Sequence, residues 1–162
     1  MSKLSSALGQ KYQSKRATIF TRTFELGGHT FKVQIPSVAQ SDKIYQAVMN
    51  PSDELIESIY QKMVEPLMAF KDASTQEDGV EYLENDVLVQ GRSMREAAKN
   101  KAMTEAKITE YIKLLVPENS EDTMDDITYA DIEAEFPLAI QLTLIEKIAE
   151  VISPSYKENR GN

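Results

Sequence analysis

Leu138-Ala139-Ile140-Gln141-Leu142-Thr143-Leu144-Ile145-Glu146-Lys147-Ile148-Ala149-Glu150-Val151-Ile152 is the stretch on which the fold turns. At 100° per residue, Leu138, Leu142, Ile145, Ala149 and Ile152 form one apolar stripe. Ile140, Leu144, Ile148 and Val151 form a second beside it, and Thr143, Glu146, Lys147 and Glu150 keep a narrow polar arc. A helix lying on one core needs an apolar stripe only about 100° wide. This helix must therefore be sandwiched, or it lends part of its circumference to a partner.

Towards the N-terminus, Pro137 marks the helix start, because proline is welcome in a first turn. Ile127–Phe136 reads as a short helix before it. Between Glu118 and Glu135 lie eight acids and no base. Asp122–Glu133 has the length of a calcium loop, but Met124 sits where an oxygen ligand is needed and Ile127 replaces the turn glycine. No metal is expected there. A long helical region is expected from about Tyr82 to Val116, with Met94, Ala98, Ile108, Ile112 and Leu115 on one face and Pro117 at its end. Lys101 and Glu105 interrupt that face, and Gly91 weakens the helix start. Lys71–Glu81 is polar and reads as a linker or exposed loop.

Ser52 caps a helix whose stripe runs from Leu55 through Ile59, Tyr60 and Val64 to Met68. Pro66 predicts a kink or a stop near Glu65. A further helix starts at Ser37 or Ser41, carries Ile44, Tyr45, Ala47 and Val48, and breaks at Asn50-Pro51. Before it, Thr18–Leu26 and His29–Ile35 flank Gly27-Gly28. Phe31, Val33 and Ile35 alternate with polar residues, and both glycines accept positive φ, which predicts a β-hairpin. Phe20, Phe24 and Leu26 would share its buried face. Residues 4–14 look weakly helical, 1–16 read as a mobile arm, and 156–162 as a flexible tail. The fold class is mainly α with an N-terminal β-hairpin at 18–35 (α+β). Its helices pack on a small two-stranded sheet, in one domain over 17–155.

Composition limits the function. The 162 residues include no cysteine, so a disulfide, a thiolate metal site and a cysteine nucleophile are excluded. The one histidine, His29, flanks the Gly-Gly turn and lacks the companions of a metal or nucleophile site. No Gly-Lys-Ser/Thr phosphate cradle occurs. No cofactor is expected, and the chain does not read as an enzyme. The first residues lack the apolar core of a signal peptide, and no apolar run reaches membrane length. A cytoplasmic protein is expected, with no membrane partner. The net charge of −8 is uneven: residues 1–50 balance to +5 and residues 51–162 to −13. Such acidity repels phosphates, so nucleic acid is not an expected partner. The opposite-sign halves and the wide apolar face favour a homo-oligomer.

Two regions carry a resemblance. One is Thr23-Phe24-Glu25-Leu26-Gly27-Gly28-His29-Thr30-Phe31-Lys32-Val33-Gln34-Ile35-Pro36. The other is Phe136-Pro137-Leu138-Ala139-Ile140-Gln141-Leu142, followed by Ile152-Ser153-Pro154-Ser155-Tyr156-Lys157-Glu158-Asn159. With small size, acidity and missing cysteine, they resemble the tail assembly chaperones of long-tailed (siphovirus, lambda-like) bacteriophages. The resemblance implies a helix-rich protein of the host cell cytoplasm. It would bind the tape measure protein, keep it soluble while the tail tube assembles, and be absent from the finished virion. It also implies that a frameshifted C-terminal extension recruits the tail tube protein. The alternatives are a minor structural tail protein, such as a terminator or connector, and a non-enzymatic regulatory adaptor. The expected partner-binding residues are Leu138, Ile140, Leu142, Leu144, Ile145, Ile148 and Ile152, with Leu55–Met68 as a second surface.

Overall fold

The computed structural model describes residues 2–69, 71 and 79–156. In chain order come α1 (Lys3–Leu8), α2 (Gln10–Ile19), β1 (Thr21–Leu26), β2 (His29–Gln34), α3 (Val38–Met49) and α4 (Asp53–Met68). Then follow β3 (Val80–Tyr82), β4 (Val87–Val89), β5 (Arg92–Ser93), α5 (Met94–Ile112), α6 (Tyr129–Glu135) and α7 (Leu138–Ile152). The chain is mainly helical with a two-stranded sheet near the N-terminus, as expected, and a second small sheet that was not. The single domain expected over 17–155 divides into two compact units, Met1–Lys43 with Ile108–Asn162, and Ile44–Lys107. Of the segment expected as an arm, 1–16, Lys3–Leu8 forms α1 and residues 10–16 lie in α2. The tail residues 157–162 and loop residues 72–78 lie outside the described residues.

In the first unit the hairpin forms as its turn dictates. Gly27 and Gly28 have φ of 61° and 82°, which β-carbon-bearing residues resist and a two-residue type I′ turn requires. The register pairs Leu26 with His29, Phe24 with Phe31 and Arg22 with Val33, so these six residues share one face. The two phenylalanine rings stack with centroids 5.2 Å apart. Phe24 and Val33 are buried, and α7 packs against both strands. Phe20 is not in the strand; it follows α2, and its carbonyl accepts from the Ile35 amide.

The region expected to stay helical to Val116 leaves the helix at Ile112. Leu115 instead bridges to Val33. The Gln34 amide donates to the Leu114 carbonyl, and the Val116 amide to the Lys32 carbonyl, each at 2.8 Å. An unpaired strand edge needs partners for its amides and carbonyls, and this apolar run provides them better than one more helical turn would.

Arg22 pins the far end of α7. Its Nη1 donates to the Val151 carbonyl at 2.6 Å and to the Ser153 carbonyl at 3.3 Å. Its guanidinium lies 5.2 Å from the Tyr156 ring centroid. The last carbonyls of a helix have no intrahelical donor and form the negative end of its dipole, so a fixed cation there satisfies both.

The second unit departs furthest from expectation. The helix expected from Tyr82 begins only at Met94, and β3, β4 and β5 form a three-stranded antiparallel sheet before it. Val80 pairs with Val89, Tyr82 with Val87, and Val89 with Arg92. The β4–β5 turn is Gln90-Gly91, again with two positive φ values, 52° and 80°. Asp86 organises this corner. It accepts from the Val87 amide at 2.7 Å, the Arg95 amide at 3.1 Å and the Ser93 hydroxyl at 2.5 Å. Ser93 in turn accepts from the Glu96 amide at 3.1 Å, the geometry of a helix N-cap. The core joins Ile59, Tyr60 and Val64 of α4 to Val87, Ala98 and Ala102. Of the kink or stop expected near Glu65, the stop does not fall there: α4 continues to Met68, with Pro66 in its last turn. There it removes a single backbone bond, and the nearby Leu67 carbonyl is taken by the Tyr82 hydroxyl at 2.6 Å.

Two outcomes test these assignments. Arg22→Met keeps the aliphatic stem and removes the donors, so it should destabilise the protein by about 2 kcal/mol in urea unfolding. An unchanged midpoint would mean that the pin carries no stability. The second concerns Asp86. Burial disfavours its charge, but the Ser93 hydroxyl, the Arg95 and Val87 amides and the Arg95 charge outweigh burial and hold its carboxyl below the ordinary 3.8. A folded value below the unfolded one stabilises fully above the unfolded value, and that stability is lost as pH falls through the folded value. Asp86→Asn should therefore be less stable than the parent at neutral pH, and the gap should close in acid.

Candidate partner-binding face

Helix α7 is placed by a corner at its start. Phe136 is extended, at φ −118° and ψ 131°, as the residue before a proline prefers. Pro137 then occupies the N-cap position of α7. In the preceding turn, the Thr128 amide and hydroxyl donate to Asp131 Oδ2 at 2.9 and 3.0 Å. These bonds, the amide first, hold the Asp131 carboxyl below its usual range. Gln141 locks α6 to α7. It is buried, accepts from the Tyr129 hydroxyl at 3.0 Å and donates to the Phe136 carbonyl at 2.8 Å. Sequence reasoning passed over Gln141. Its signal was a lone amide inside an apolar helix, where a buried polar group must find partners.

The corner decides which stripe of α7 is core. Leu144 and Ile148 are 0% exposed and Val151 is buried with them. The expectation that Leu144 and Ile148 contact a partner is thereby corrected, because their stripe is the one that covers the hairpin. The other stripe is open only at its N-terminal end. Leu138 is 58% exposed and Leu142 44%, and Ile140, at the N-terminal end of the core stripe, is 37%. Ile145 and Ile152 are half-buried. On α4, the second candidate surface, Ile59, Tyr60 and Val64 are core, and of its large apolar side chains only Leu55 and Met68 at its ends are exposed.

Charge continues the open row. Leu138, Leu142, Glu146 and Glu150 are all exposed and follow one another at i, i+4 spacing, so they form a single row along the helix. All eight acids from Glu118 to Glu135 are exposed as well. The remaining features are modest. His29 packs edge-on to Phe31 at 4.6 Å, beside a cleft of about 170 Å³ between the hairpin and Leu115-Val116. That is smaller than a typical ligand pocket. Among the described residues no group of three or more His, Asp or Glu is arranged to hold a metal ion. None of the described helices is long and apolar enough to cross a membrane.

No known protein family, curated protein or solved structure matches this chain. The functional reading therefore rests on the surface of α7.

The two stripes should respond differently to charge. Leu144→Asp buries a carboxylate without a partner and should destabilise the protein by more than about 4 kcal/mol in urea unfolding. Leu142→Asp, on the open row, should stay within about 0.5 kcal/mol of the parent. Equal losses would show that both stripes are core.

Proposed function

We propose that this protein is a tail assembly chaperone: a non-enzymatic binding protein that covers the tape measure protein in the infected cell and is absent from the finished virion. The observation that supports this reading is the open row on α7. A helix already anchored by a buried stripe presents Leu138 and Leu142, with Ile140 nearby, to solvent. Exposed leucines on a rigid, anchored helix suit helix-in-groove recognition of an amphipathic client. A long helical client that has not yet met its tube subunits exposes apolar stripes and aggregates unless they are covered. The net charge of −8 would keep such a complex soluble. The resemblance carried by the hairpin and by Phe136–Leu142 gives the reading its phage context.

Co-expression with the tape measure protein is the direct test. The parent chain should raise the soluble fraction of the client several-fold, and a Leu138→Asp, Leu142→Asp double variant should not, with its circular dichroism unchanged. A double variant that solubilises as well as the parent removes the row from the mechanism. Mass spectrometry of purified particles separates this function from a structural one, since a chaperone is missing from them and a terminator or connector is present.

A further inference from the structure

The apolar part of the row is too small to hold a client alone. Leu138, Ile140 and Leu142 offer only a small exposed apolar area, and buried area alone does not set affinity. Selectivity must come from what continues the row. Along about 18 Å of helix, Leu138 and Leu142 give way to Glu146 and Glu150 at the same i, i+4 spacing. Glu146 and Glu150 are exposed and make no ion pair among the described residues. At the start of α7, Glu133 and Glu135 add two more exposed acids.

We infer that the occupant of this face is an amphipathic helix whose apolar stripe is flanked by lysine and arginine. The inference rests on the proposed client-binding role of α7 and specifies the chemistry of the client segment. Rows at i±4 spacing are the ridges that pack into the grooves of a second helix, so a helix fits the row better than an extended strand. Its apolar stripe meets Leu138 and Leu142. Its basic flank meets Glu146 and Glu150, where opposite charges steer the encounter and fix the register. Like-charged helices are rejected by the same two glutamates.

The test uses the full chain and three labelled synthetic helices of about 20 residues with one shared leucine stripe and flanks of Lys, Gln or Glu. Fluorescence anisotropy should rank them Lys, Gln, Glu, with the Lys helix at least about tenfold tighter than the Glu helix. That preference should collapse in 1 M salt, where the Debye length is about 3 Å, and in the Glu146→Lys, Glu150→Lys variant. The Leu142→Asp variant should bind none of the three. Equal binding of all three overturns the inference and leaves the client-binding role standing. If none binds while co-expressed tape measure protein is still solubilised, the inference falls and the client uses another surface. If none binds and the client stays insoluble, both fall. A further outcome is self-association that is dissolved by salt and by Glu146→Lys, Glu150→Lys, with no peptide binding. It would assign the face to a second copy, whose α1–α2 segment holds four Lys/Arg and no acid, and would overturn the inference.

Discussion

Everything in the first unit depends on one covering contact: α7 laid across a hairpin that cannot bury itself. Two strands have one apolar face and two open edges, and alone in water they are marginal. Here Val33, Leu144 and Ile148 are completely buried, and α7 touches both strands. The edge of β2 is closed by Leu114–Val116, and the C-terminal carbonyls of α7 are held by Arg22 from β1. Removing α7 would expose the hairpin face, free the Arg22 donors and undo the Gln141 corner in one step. These parts are therefore cooperative, and single substitutions among them should act on the unit as a whole.

A hairpin is narrow, and that narrowness leaves part of α7 open. Two strands about 4.8 Å apart cover one helical stripe and a little more. The apolar surface of α7 extends over two stripes, so the second stays partly in water. The exposure of Leu138 and Leu142 is thus a geometric consequence of pairing a wide-faced helix with a two-stranded sheet. Gln141 reinforces the choice, because its amide must face Tyr129 and Phe136. Meeting both fixes the rotation of α7 and turns the Leu138–Leu142 row outward.

The hairpin and the limits of α7 were readable because their signals are local. Gly27-Gly28 between alternating runs allows one kind of turn, and Pro137 allows one kind of helix start. The β3–β5 sheet was not readable in the same way. Its strands are two or three residues long, too short for a period of two to separate from a helical pattern. Gln90-Gly91 was the local clue, yet Gln90 takes positive φ without being glycine, a conformation held by the surrounding ladder. Asp86 joins the sheet to the start of α5 through groups seven and nine residues away, which propensity cannot see. On α7 the two stripes are both aliphatic and equally good core. Which one meets the hairpin goes with the Gln141 contacts to Tyr129 and Phe136, and those contacts exist only after folding.

Exposed leucines on a stable helix carry a hazard as well as a use, because two copies can pair through them. The glutamates that continue the row change that balance. A second α7 laid parallel and in register would set Glu146 and Glu150 against like charges, and one laid antiparallel would press them against Leu142 and Leu138, beneath a net charge of −8. Like-charge contacts of this kind disfavour homotypic pairing while leaving an oppositely charged helix free to dock. The same side chains thus admit one class of partner and discourage another. On the proposed chaperone role such selectivity matters, since an apolar face that sticks to its own kind is consumed before any client arrives. The apolar contribution of each face is small, so a single contact would release readily. A long client that engages many copies would still be covered, through the high effective concentration of neighbouring sites along one chain.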